Sequence, residues 1–151
     1  MIGSETLNQT VGSTFDNKNV GTGKTVTVNS IALADGTNGG LALNYSISSG
    51  QITTANITAK ALSVSGITSS NKAYDGTTAA TLGTGAVVYG GLVSGDTLTG
   101  TYSGVFDNAN VGTGKTVTIT SSYGGADVNN YTITDQASTT ADVTTKALTA
   151  T

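Results

Sequence analysis

The chain of 151 residues carries six Lys, no Arg, no His, no Cys, no Trp and no Pro, with a formal net charge of −3. Without His or Cys it cannot build a Ser-His-Asp or Cys-His nucleophile, or the usual zinc, haem or iron–sulfur sites, so neither catalytic residues nor a cofactor are expected. The acidic balance, with a pI near 4.4, leaves no basic stripe for nucleic acid, and no apolar run approaches the ~20 residues of a membrane-spanning helix.

Absence of Cys also excludes a disulfide scaffold. Met1-Ile2-Gly3 lacks the basic start of a signal peptide, so a soluble chain is expected, with any export signal lying outside it. Charged residues make up only 10% of the chain, against about 25% in ordinary globular proteins, while small and apolar residues keep the composition globular rather than disordered.

In chain order the dominant feature is repetition. Phe15-Asp16-Asn17-Lys18-Asn19-Val20-Gly21-Thr22-Gly23-Lys24-Thr25-Val26-Thr27-Val28 returns 91 residues later as Phe106–Ile119, with two of fourteen residues changed. Upstream, Ser4-Glu5-Thr6-Leu7 aligns with Gly95-Asp96-Thr97-Leu98 at the same spacing. Downstream, Asn44-Tyr45-Ser46-Ile47 and Ile57–Leu62 match Asn130-Tyr131-Thr132-Ile133 and Val143–Leu148 at a spacing of 86, so the first copy holds five extra residues around Asp35–Gly40. The expected organisation is an incomplete repeat over 1–61, a complete one over 62–147 and the opening of a third over 148–151.

Strand is the expected state throughout. Val and Ile alternate with Thr in Thr25–Val28 and Thr116–Ile119, and Tyr45/Ile47 and Tyr131/Ile133 alternate likewise, which places these aromatic and aliphatic side chains in the core. Asn38-Gly39, Asp75-Gly76, Gly90-Gly91 and Gly124-Gly125 mark turns, and Thr77–Leu82 is long enough for one helical turn at most. At Lys60-Ala61-Leu62 the apolar parity switches from Ile57 to Leu62 and Val64, as if a strand leaves one core and enters the next. The expected fold is all-β: tandem small β-sandwich-like or β-grasp-like modules with little or no helix.

The motifs that resemble reactive sites read as turns. Gly21–Thr25 and Gly112–Thr116 end like a phosphate loop, but the first glycine of that motif is missing and a strand follows where a helix N-terminus is needed. The glycines are expected to supply positive φ and the lysine, Lys24 or Lys115, to flank and solvate the turn. Asp16, Asn19, Asp107 and Asn110 are the only metal candidates, weak ones, because the spacing of a calcium loop and its bidentate Glu are absent; Asx-turns are the simpler reading. A carboxylate pair for sugar hydrolysis would have to use Asp75 and Asp96, both in glycine-containing turns. Asn8, Asn44, Asn56 and Asn130 fit the permissive N-glycosylation pattern.

Lys72-Ala73-Tyr74-Asp75-Gly76-Thr77-Thr78, followed by Gly95–Leu98, Phe106–Lys115, Asn130-Tyr131-Thr132 and Lys146-Ala147-Leu148, resembles the YDG domain, named for Tyr74-Asp75-Gly76. The resemblance picks out Tyr74, Asp75, Gly76, Gly112, Gly114 and Lys115 as structural motif residues and assigns no binding residues. It implies a non-catalytic structural repeat in a large secreted bacterial adhesin similar to filamentous haemagglutinins, serving as a stalk or fibre segment at the cell surface. Expected partners are neighbouring repeats of the same or another copy, with a host or cell-surface glycan as the alternative. A fibre subunit using strand donation is the other alternative, in which another molecule supplies Ala141–Leu148 to the exposed sheet edge of the first copy.

Overall fold

The computed structural model describes residues 2–149. It is all-β, with no α-helix among the described residues and two short 3₁₀ turns, Ala42–Asn44 and Val128–Asn130, at matching places in the two copies. The chain divides into two compact units, Met1–Thr58 and Ala59–Thr151.

The first unit is a three-stranded antiparallel sheet in chain order: β1 (Leu7–Phe15), β2 (Gly21–Asp35) and β3 (Ile52–Ile57). Its register shifts between Gly12 and Ser13, where a bulge accommodates one residue more on β2. β-branched side chains at alternate positions favour the pleated surface and set which face they line. Val26 and Val28 are only half-buried, however, and Phe15 and Ile47 are 40% and 48% exposed. The Tyr45–Ile47 stretch, expected as a strand with both side chains in the core, is irregular backbone, with Tyr45 half-buried. The reason is visible in the second unit, where its counterpart has a strand to pair with.

That unit contains β4 (Lys60–Ser65), β5 (Thr68–Ser69), β6 (Lys72–Ala73), β7 (Ala79–Ala80), β8 (Leu82–Gly83), β9 (Val88–Gly90), β10 (Thr99–Phe106), β11 (Gly112–Gly124), β12 (Tyr131–Thr134) and β13 (Ser138–Thr144). A five-stranded sheet runs β6-β13-β11-β10-β7, a three-stranded sheet β12-β4-β9, and β5 pairs with β8. Two of the pairings are parallel, β12 with β4 and β13 with β6. Thr77–Leu82, long enough for one helical turn at most, makes none: β7 pairs with β10 and β8 with β5. The carbonyl of Thr78 also accepts from the Phe106 amide at 2.8 Å, so these residues satisfy their backbone groups across strands rather than locally.

Leu62 and Val64 of β4 point inward at 2% and 5% exposure, with Ile67 just beyond them, and meet Ile119 and Tyr131. A second cluster joins Phe106, Val117, Ala141 and Val143, and Leu82 packs against both clusters. Ser138–Thr144 is therefore paired with β11 and β6, and Val143 is 1% exposed. Within the segment that the strand-donation alternative would supply, residues 141–144 are already built into their own unit, and releasing them would expose its core.

Candidate functional site

The repeated Asp-Asn-X-Asn turn is the most organised polar cluster. Asp107 follows the buried Phe106 at the end of β10, and Lys115 lies near the start of β11, so the hairpin itself brings them together. Lys115 Nζ lies 2.8 Å from Asp107 Oδ1 and donates to Asn108 Oδ1 at 2.7 Å. The Asn108 amide donates to Asp107 Oδ1 and the Asn110 amide to Asn108 Oδ1, the latter an Asx-turn. The first copy repeats the arrangement, with Lys24 Nζ 2.9 Å from Asp16 Oδ1 and 2.7 Å from Asn17 Oδ1, and the Asn19 amide donating to Asn17 Oδ1.

One expectation about this turn is corrected. The lysines do not solvate the turn: their side chains are 10% and 9% exposed, folded under the loop with the ammonium among the oxygens. The ammonium holds the Asp16 and Asp107 carboxyls below the usual carboxylate range, with help from the Asn17 and Asn108 amides. Asp16, Asn19, Asp107 and Asn110 thus sit in turns whose central charge is supplied by lysine. Among the described residues no group of three or more acidic side chains is placed to hold a metal ion.

A second correction concerns the glycines. Gly23 and Gly114 adopt φ of 60° and 58°. Gly21 and Gly112 are not among the positive-φ residues; a Cβ on Gly112 would press to 3.3 Å from the Lys115 stem. The first glycine makes room for the lysine and the second turns the chain. The amides of Gly23 and Gly114 are held by side chains of the neighbouring strands β3 and β13, Asn56 and Asp142, at 2.8 and 2.7 Å.

Tyr74-Asp75-Gly76 forms a separate knot. Asp75 Oδ1 accepts from the Thr77 amide and hydroxyl, both at 2.9 Å, and from Lys72 Nζ at 2.9 Å. Lys72 also donates to the carbonyls of Thr77 and Ala79 and lies over the Phe106 ring. The ammonium, then the Thr77 donors, hold the Asp75 carboxyl down at about 2. Gly76 takes φ 79°, and the Tyr74 amide donates to the Thr144 carbonyl while its ring stays 41% exposed. The motif ties the start of the unit to its last strand.

Asp96 lies in a turn, as expected, but its carboxylate has a task the sequence did not reveal. Tyr131 Oη donates to Asp96 Oδ2 at 2.6 Å and accepts from the Val93 amide at 2.9 Å. In the first copy Tyr45 donates to Glu5 and accepts from the Ile2 amide. Asp127, buried and without a counterpart in any recognised motif, accepts from the Thr97 amide at 2.8 Å. Tyr89, Tyr102 and Tyr123 gather at the side of the core, half-buried, with Tyr89 and Tyr102 hydroxyls 3.0 Å apart and Tyr102 edge-on to Tyr123. Burial pushes the Tyr102 and Tyr123 hydroxyls above their ordinary pKa, and Asp135 adds to the shift of Tyr123. Tyr74 is not part of that group.

The family model of the YDG domain matches residues 1–54 and 58–149. No curated protein and no solved structure gives a significant match.

Proposed function

The chain belongs to the YDG-domain family, and from that premise we propose that it is a non-catalytic structural segment of a secreted bacterial surface adhesin or extracellular fibre, built from tandem β-sandwich-like or β-grasp-like modules. The observation that carries the reading is that both copies spend the same polar side chains on holding their own loops. Lys24, Asp16 and Asn17 engage one another just as Lys115, Asp107 and Asn108 do, and Tyr45 and Tyr131 each link an acidic side chain to a backbone amide. Interactions repeated in this way set the shape of a unit, and a spacer needs reproducible shape more than a reactive group.

Immunogold labelling of intact cells of the source organism with antibody raised against the chain tests this reading. Label on the cell exterior that is lost after protease treatment of whole cells is the expected result; label seen only after lysis overturns it. A glycan-binding role is the second reading, favoured by the Tyr89–Tyr102–Tyr123 group. A glycan array returning a hit abolished by Tyr102→Ala in a folded variant would put it first.

A further inference from the structure

The Lys-Asp-Asn clusters of the two hairpins contain more than an ion pair needs. Lys115 Nζ is 2.8 Å from Asp107 Oδ1 and donates to Asn108 Oδ1 at 2.7 Å. Asp107 Oδ2 accepts from the side-chain nitrogen of Asn108, Nδ2, at 3.2 Å, and the Asn110 backbone amide donates to Asn108 Oδ1 at 3.0 Å. The first unit repeats all four contacts with Lys24, Asp16, Asn17 and the Asn19 amide, at 2.9, 2.7, 3.3 and 3.0 Å.

Each hairpin thus holds an amine and a carboxamide in contact, with one carboxylate touching both. Asn Oδ1 is one C=O bond, about 1.23 Å, from the carbonyl carbon, so a small swing of the flexible lysine head brings Nζ onto Cγ. The Asp carboxylate holds the amine with one oxygen and, with the other, the amide nitrogen that would leave in an acyl transfer. The Asn110 or Asn19 amide bonds the oxygen on which negative charge would develop, as an oxyanion donor does. Water is kept from the lysines, whose side chains are 10% and 9% exposed. Their stems pass over Gly21 and Gly112, where a Cβ would press to 3.4 and 3.3 Å. Lys72 is the contrast: among its hydrogen-bond partners, Asp75, Thr77 and Ala79, there is no side-chain amide.

We propose that each hairpin closes an isopeptide bond on itself, Lys24 Nζ to Asn17 Cγ and Lys115 Nζ to Asn108 Cγ, with Asp16 and Asp107 carrying the protons. The carboxylate takes a proton from the ammonium, and the freed lone pair attacks Cγ. The Asp then passes that proton to Nδ2, the Cγ–Nδ2 bond breaks and ammonia departs. The new amide gives its surplus proton through the same carboxylate to the ammonia, so an ammonium ion leaves, Asp returns to its ionised form and no oxidant is used. Asp itself is not the electrophile: the lysine ammonium and the Asn backbone amide hold its carboxyl below the usual range, and an ionised carboxylate resists attack by an amine. Each site reacts once, which suits a structural segment and stitches the end of the hairpin covalently.

Intact mass spectrometry and peptide mapping of the full chain, after prolonged incubation at neutral pH, test the proposal. The mass should fall short of that required by the sequence by two molecules of ammonia. Because trypsin cuts after Lys18, between Asn17 and Lys24, the first link should appear as a branched peptide. Lys115→Arg should lose one ammonia only. Asp107→Ala keeps the amine and the amide and should link at its own site about a hundredfold more slowly, with the Asn17–Lys24 link forming at the wild-type rate as the internal reference. Should that variant not fold, Asp16→Ala makes the reciprocal comparison. A wild-type mass equal to that of the sequence, loss of water in place of ammonia, ammonia lost without a Lys–Asn branch, or a folded Asp variant that links at the wild-type rate would each overturn the proposal.

Discussion

Lysine, of all residues in this chain, does the least expected thing. Three of the six, Lys24, Lys72 and Lys115, fold their stems against the protein and give their ammonium groups to an Asp and to further oxygens of the same loop. A compact ammonium with three donors suits a loop that gathers acceptors from several directions. The strongest effect falls on Asp75, whose carboxyl is held at about 2 against an ordinary 3.8. A carboxyl depressed on folding adds stability that is complete above its unfolded value, and that contribution disappears as pH falls from about 3.8 through about 2. In the Lys72→Met variant the Asp75 titration, read by NMR of its carboxyl carbon, should move up toward 3.8; an unmoved midpoint would show that the Thr77 donors alone produce the shift.

β-Strands of nearly identical sequence bury to different depths here, and that difference predicts different responses to the same substitution. Phe106→Ala removes a ring that is 3% exposed and should cost about 3–4 kcal/mol in urea unfolding of the second unit. Phe15→Ala, at a site 40% exposed, should cost at most about 1 kcal/mol in the first; equal losses would mean that the Phe15 face is covered in solution. Tight backbone approach makes a separate element-scale prediction. Gly66 has φ 87°, and a Cβ there would stand 2.1 Å from the Ala86 carbonyl oxygen. Because that neighbour is backbone and cannot swing away, Gly66→Ala should lower the stability of the second unit by more than about 2 kcal/mol, and a wild-type melting curve for this variant would refute the reading.

For the molecule as a whole, the two units should differ in stability. A three-stranded sheet with a partly open apolar face lies near the lower limit for independent folding. Native-state hydrogen exchange should therefore show faster opening of amides in β1–β3 than in β10, β11 and β13, and matched rates would contradict this. Alkaline pH should weaken both units. Tyr45 is raised chiefly by its bond to Glu5, and Tyr131 and Tyr123 chiefly by burial, each from an ordinary value of 10.0. Their neutral forms are favoured by folding, so the associated stability is complete below pH 10.0 and declines as pH rises beyond it. Unfolding monitored together with phenolate absorbance should show the two signals rising in concert above that pH.

Two kinds of information are separated by the repeat. Alternation of Val, Ile and Thr and the Gly-containing turns are local patterns that depend only on neighbouring residues, and the recurrence of Phe15–Val28 at Phe106–Ile119 is seen by comparing the sequence with itself; from these the sequence by itself determined an all-β chain with two related units and turns at the right places. Tertiary structure alone decided that Thr77–Leu82 extends instead of coiling, that the lysines of the Gly-Thr-Gly-Lys turns fold inward, and that Tyr131 is buried while Tyr45 is half open. These outcomes depend on partners tens of residues away: β10 for Ala79–Ala80, and β4 beside Tyr131. The same Tyr-X-Ile pattern becomes a strand in one copy and irregular backbone in the other because a strand forms only where another supplies its hydrogen bonds and covers its face.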